Sequence, residues 1–121
     1  MTEKEKFNEE IKKKTKSIAV RIVKMYSQLP KKDEVIIIGK QLIRSATSMA
    51  ANYRAVCRAR SVREFFAKIS ITIEETDETL FWLEVLEETG LVIPEKLVLL
   101  KTETEEILKI LAKARKNTKI S

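Results

Sequence analysis

The chain of 121 residues contains no histidine. That absence removes the commonest general base, the commonest metal ligand and every triad built on imidazole. A single cysteine, Cys57, excludes an internal disulfide and fits a cytoplasmic protein. With no histidine to activate it, Cys57 reads as a small core residue rather than a nucleophile. Two glycines leave no room for a phosphate-cradling loop. No apolar run reaches membrane-spanning length, so no transmembrane helix is expected. The opening Met-Thr-Glu-Lys-Glu-Lys, with no apolar stretch behind it, does not read as a signal peptide. The expectation is a non-enzymatic protein with no cofactor and no metal.

What the chain does have is helical periodicity from end to end. Its length suits one domain with a core of its own. A first helix is expected over about 5–28, with Ile18, Ile22, Met25 and Leu29 on one face and Leu29-Pro30 ending it. A second, over about 34–60, has Asp33 as its N-cap. It repeats Val35, Ile38, Leu42, Ala46, Met49, Tyr53 and Val56 at three- and four-residue steps. A third, over about 62–89, opens on Ser61-Val62-Arg63-Glu64, a capping box. It carries Val62, Phe66, Ile69, Ile73, Thr76, Leu80 and Leu83, and Gly90 suits the left-handed residue past its end. A fourth, over about 94–116, begins at Pro94 and repeats Leu97, Leu100, Thr104, Ile107, Leu111 and Ala114. Four amphipathic helices on short connections predict an all-α, antiparallel up-down-up-down bundle. Trp82, beside the seam residue Leu83, suits either a partly buried side chain or an anchor in a subunit contact.

The net charge of +6 hides strong segregation. Residues 1–30 sum to +4, 31–63 to +6, 64–106 to −9 and 107–121 to +5. Folding the bundle brings the positive segments to one end. That end gathers Lys12, Lys13, Lys14 and Lys16, then Arg54, Arg58, Arg60 and Arg63, then Lys109, Lys113, Arg115, Lys116 and Lys119. No acid interrupts the four arginines at the corner between the second and third helices. Lysines at the end of the fourth helix complement its dipole, but Arg63 and Lys12–Lys14, read as lying in first turns, oppose theirs. The surplus points to a polyanion, and arginine at the corner favours phosphate, which guanidinium binds bidentately.

Membrane lipid usually requires an apolar face beside the basic one, and none is evident near Arg54–Arg63, so no membrane partner is expected. No helix-turn-helix spacing or zinc site supports sequence-specific DNA reading. Contacts to phosphates of structured RNA, more than DNA, are the expectation. They would come from Arg54, Arg58, Arg60, Arg63, Lys12, Lys13, Lys113 and Lys116, with Arg44 and Lys40 in second rank. The outer face of the second helix alternates small and basic residues, from Lys40 and Arg44 through Thr47 and Ala51 to Arg54, Ala55 and Arg58, which suits an oligomer contact. The acids Glu74, Glu75, Asp77 and Glu78 lack the Glu-x-x-His motif of a di-metal bundle. They flank the core face and are expected to pair with basic residues on a neighbouring helix or subunit.

The order of these features resembles a bacterial four-helix-bundle family encoded in the intervening sequences of 23S ribosomal RNA genes. The resemblance rests on Gln41-Leu42-Ile43-Arg44-Ser45, the small run from Ser48 to Asn52, Ser61 with Glu64-Phe65, Leu83-Glu84, and Gly90. It spans about residues 15–112. After the Asn the family often has an acid followed by Gly, whereas this chain has Tyr53-Arg54-Ala55-Val56-Cys57, which is more basic and more helical. The resemblance implies a homo-oligomer, often a pentameric ring, without enzymatic activity. Proteins of related fold serve diversity-generating retroelements, binding the reverse transcriptase and its template RNA. A scaffold or accessory subunit of a reverse transcriptase is therefore the alternative function.

Overall fold

The computed structural model describes residues 1–118, which form four helices: α1 (Glu3–Ser27), α2 (Asp33–Cys57), α3 (Val62–Glu88) and α4 (Pro94–Lys116). Short connections leave each helix antiparallel to the next. α2 packs on α1 and α3, α4 packs on α3 and α1, and the diagonal pairs do not meet. The result is the expected up-down-up-down four-helix bundle. The α2–α3 contact is the most extensive and the α1–α4 contact the thinnest.

Capping explains where the helices start. Thr2 caps α1 with a full capping box: its hydroxyl accepts from the Glu5 amide at 3.1 Å, and the Glu5 carboxylate accepts from the Thr2 amide at 3.0 Å. The helix thus begins two residues before the expected Glu5. Asp33 is not an N-cap but the first residue of α2, where it and Glu34 favour the positive end of the dipole. α2 stops at Cys57 instead of near residue 60, because Arg58–Ser61 form the corner. The Ser61 hydroxyl accepts from the Glu64 amide at 3.0 Å, as expected. The box is half formed, since the Glu64 carboxylate turns to Arg60 Nε at 3.8 Å. Gly90, at φ 71°, holds the left-handed position after α3.

Ile18, Ile22, Leu42, Met49, Leu83, Leu97, Ile107 and Leu111 are among the buried residues at the centre. The α3 face differs from the expected one. Val62 is 49% exposed, and Phe66, Ile73 and Leu80 are only half-buried. The buried stripe is Ile69, Thr72, Thr76, Thr79, Leu83 and Leu86. Of its three threonines only Thr76 belongs to the expected stripe. Their hydroxyls donate to carbonyls one turn back, as from Thr72 to Lys68 at 2.8 Å and from Thr76 to Thr72 at 2.7 Å, so burial leaves no polar group unpaired. Thr79 Oγ1 also lies 3.0 Å from Ser45 Oγ on α2. Short side chains at this crossing let α2 and α3 approach closely.

A second close approach explains Gly39, buried in α2. A Cβ there would run into the Tyr26 ring of α1, so the ring occupies the space a side chain would fill. Glycine inside a helix costs about 1 kcal/mol relative to alanine, which the ring packing offsets.

Arg21 bridges the thin α1–α4 seam, with Nη1 and Nη2 donating to the two carboxylate oxygens of Glu103 at 2.9 and 2.5 Å. The guanidinium hydrogen bond holds the Glu103 carboxyl below its usual pKa. A lowered folded pKa gives stability that is fully present above the unfolded value, about 4.3, and is lost as pH falls through the folded one. Both side chains are about a third exposed, so the pair contributes roughly 0.5–1 kcal/mol. Denaturant titrations from pH 7 to 3 should show Glu103→Gln less stable than the parent at pH 7, with the gap closing at acid pH. An undiminished gap at pH 3 would exclude this pair as the cause.

Candidate nucleic-acid interface

The start of α1, the end of α2, the start of α3 and the end of α4 meet at one end of the bundle. Side chains from all four helices line a cavity of about 510 Å³ there, including Phe7, Val56, Phe65 and Leu111. Phe7 and Val62 are also substantially exposed. The basic end therefore carries an apolar hollow beside its arginines, contrary to the sequence expectation of no apolar surface there. The residues of this hollow come from four separated segments, so no single run of sequence shows it.

Around the hollow stand the corner arginines. Arg54 and Arg63 are exposed, and Arg58 is the exposed C-cap of α2. None of these three forms an ion pair among the described residues. The Arg60 side chain is 89% exposed and only 3.8 Å from Glu64, too loose a contact to neutralise it. Lys113 and Lys116 are exposed at the end of α4 with Arg115, which is held above the Phe66 ring at 6.0 Å and 3.5 Å from Ser70 Oγ. Lys13 is exposed, and Lys12 binds Glu9 at 2.7 Å. Lys119 lies outside the described residues.

Two candidates stand apart. Lys40 is exposed near the opposite end of α2, about 20 Å along the helix from Arg54. Arg44 bonds Glu75 at 3.1 Å and also Glu78, both on α3. Those carboxylates raise the Arg44 pKa, Glu78 foremost, and the guanidinium lowers that of Glu78. Glu78 also accepts from Trp82 Nε1 at 3.2 Å. Glu75 and Glu78 thus pair with a neighbouring helix, one of the two arrangements expected, whereas Glu74 and Asp77 form no ion pair among the described residues. Arg44 carries its charge within the subunit, and Trp82 is a partly buried side chain packed against the core.

Lys12–Lys14 lie in the third turn of α1 and not the first, so the helix dipole does not oppose them. It does oppose Arg63 in the first turn of α3. It also opposes Lys4, a wall of the hollow that sequence reasoning missed. The early Thr2 cap was the signal for Lys4, since it draws that residue into the helix.

Cys57, half-buried beside Tyr53, has its thiol pushed up by burial, only partly countered by the Tyr53 hydroxyl. Burial likewise raises the Tyr53 pKa. A thiol so held is a poor nucleophile. Glu75 and Glu78 are committed to Arg44, and among the described residues no group of three or more Cys, Asp or Glu could hold a metal ion. No described helix is long and apolar enough to cross a membrane.

No curated protein matches the chain. A crystal structure of a protein of unknown function from the S23 ribosomal protein family of Bacteroides thetaiotaomicron is similar to it. The two share 34% sequence identity at a TM-score of 0.83, over 91% of this chain and 98% of the other. Residues 8–113 match the 23S rRNA-intervening sequence protein family. With that match covering nearly all of the bundle, the chain belongs to the 23S rRNA-intervening sequence protein family.

Proposed function

We propose that this protein is a non-enzymatic, cytoplasmic RNA-binding protein that grips the phosphates of structured RNA with the basic end of its bundle. The observation that carries this reading is the set Arg54, Arg58 and Arg63, exposed on one corner with no acid among the described residues paired to them. Guanidinium groups free of internal partners meet phosphate without first breaking an ion pair. Base stacking has little part in the reading. Tyr53, the aromatic in the corner stretch, is 2% exposed, and Phe7 is the exposed ring nearby. Backbone contact without stacking favours folded RNA, recognised through its shape and phosphates.

A salt titration against structured RNA and duplex DNA of equal length tests the reading, on protein whose mass is fixed by light scattering. Tight binding that prefers RNA and weakens steeply with salt is the expected result. Weak binding to both would reject it and assign the basic end to a protein partner, such as a reverse transcriptase.

A further inference from the structure

The hollow at the basic end runs from solvent down to the core. Phe7 and Val62 stand at its mouth, while Ile69 and Leu111, each 1% exposed, close its floor. Val56 and Phe65 form walls between them. Its volume of about 510 Å³ falls within the range of sites that enclose small ligands, roughly 300–1,000 Å³.

The interior suits hydrocarbon. Tyr53 and Cys57 lie side by side in its wall, and burial favours the neutral form of each. No buried side-chain nitrogen or oxygen among the described residues lacks a hydrogen-bond partner. An apolar body can therefore enter without covering an unsatisfied polar group, and it gains by leaving water.

The mouth has the opposite character. Among the described residues that line the hollow Lys4 alone is charged, and it forms no ion pair there. Asn8 lies one turn further along the same face of α1, and its amide makes no hydrogen bond among the described residues. The Ser61 hydroxyl accepts from the Glu64 amide at 3.0 Å and keeps its own proton free to donate. One cation and two neutral donors beside an apolar interior match a single anionic group at the end of an apolar body.

We propose that the hollow binds a free amphipathic monocarboxylate, its acyl chain against Ile69 and Leu111 and its carboxylate on Lys4, Asn8 and Ser61. The corner arginines are not part of this lining, so the site is independent of the RNA reading. A bare phosphate has no apolar body for the interior to hold.

Calorimetric titration of the full chain with dodecanoate, below its micelle-forming concentration, tests the proposal. Dodecanol and octanoate are the companion probes, and circular dichroism follows helix content. One dodecanoate should bind per chain, and octanoate, four methylenes shorter, should bind roughly a hundredfold more weakly. Lys4→Gln should weaken dodecanoate about fivefold and leave dodecanol unchanged, because Lys4 is exposed and meets only the charged head. Ala114→Phe, which puts a ring into the hollow, should abolish binding of both. A folded parent that binds no dodecanoate would overturn the proposal, as would an equal loss of acid and alcohol in Lys4→Gln. So would a folded Ala114→Phe that binds like the parent, or capture by phosphatidylglycerol vesicles without binding of the free acid.

Discussion

Replacing Arg54, Arg58 and Arg63 together with Gln should lower the affinity for structured RNA roughly ten- to a hundredfold at low salt. The slope of log affinity against log salt should flatten by about 2–3. The size follows from counterion release. Each phosphate left without its cation takes about 0.7–0.9 from the slope, and three guanidinium groups are removed. The fold should be untouched, because none of the three is buried and none forms an ion pair among the described residues. Helix content by circular dichroism is the control. Arg44→Gln is the contrasting variant: its guanidinium is held by Glu75 and Glu78, so RNA affinity should stay within about twofold. A parental slope in the triple variant, or an equal loss in Arg44→Gln, would remove the corner from the binding surface.

The second large effect concerns stability. Leu83→Ala should destabilise the bundle by about 2–5 kcal/mol, since Leu83 is wholly buried and its removal opens a cavity among packed side chains. In a domain of this size that lowers the melting temperature by on the order of 10 °C. Val62→Ala should change stability by less than about 0.5 kcal/mol, because Val62 stands half exposed at the start of α3. Both residues fall on the same repeat in the sequence, so thermal melts of the two variants separate the observed α3 face from the one the periodicity suggests. Equal losses would mean that the face is wrongly placed.

That pair shows where the sequence was legible. The fourth helix reads true in extent, with Pro94 opening it and Lys113 and Lys116 in its last turn. There Leu97, Leu100, Thr104, Ile107 and Leu111 are buried as their spacing requires. The third helix reads true in extent but not in rotation. Its neighbours meet it along Thr72, Thr76 and Thr79, whose hydroxyls are satisfied by their own backbone and so behave as small core groups. The periodicity includes Thr76 but passes over Thr72 and Thr79, which turns the helix toward Phe66 and Ile73, both only half-buried.

The candidate site divides the same way. Charge segregation along the chain placed Arg54, Arg58, Arg60 and Arg63 together, because antiparallel topology fixes which segments share an end. Pairing is another matter. The bonds from Arg44 to Glu75 and Glu78 join residues about thirty positions apart, at a register that depends on how α2 and α3 slide against each other. The hollow behind the arginines draws on all four helices at once. Both follow from tertiary packing, to which local spacing is blind.

The order of contacts around the bundle has a kinetic side. Three of its four edges join helices adjacent in the chain, so they form by closing short connections at low entropic cost. The α1–α4 edge alone joins distant segments, and it is also the thinnest, secured by Arg21 and Glu103. Native-state hydrogen exchange should therefore find the amides of α1 and α4 opening before those of α2 and α3, and equal protection in all four helices would refute a weak closing edge.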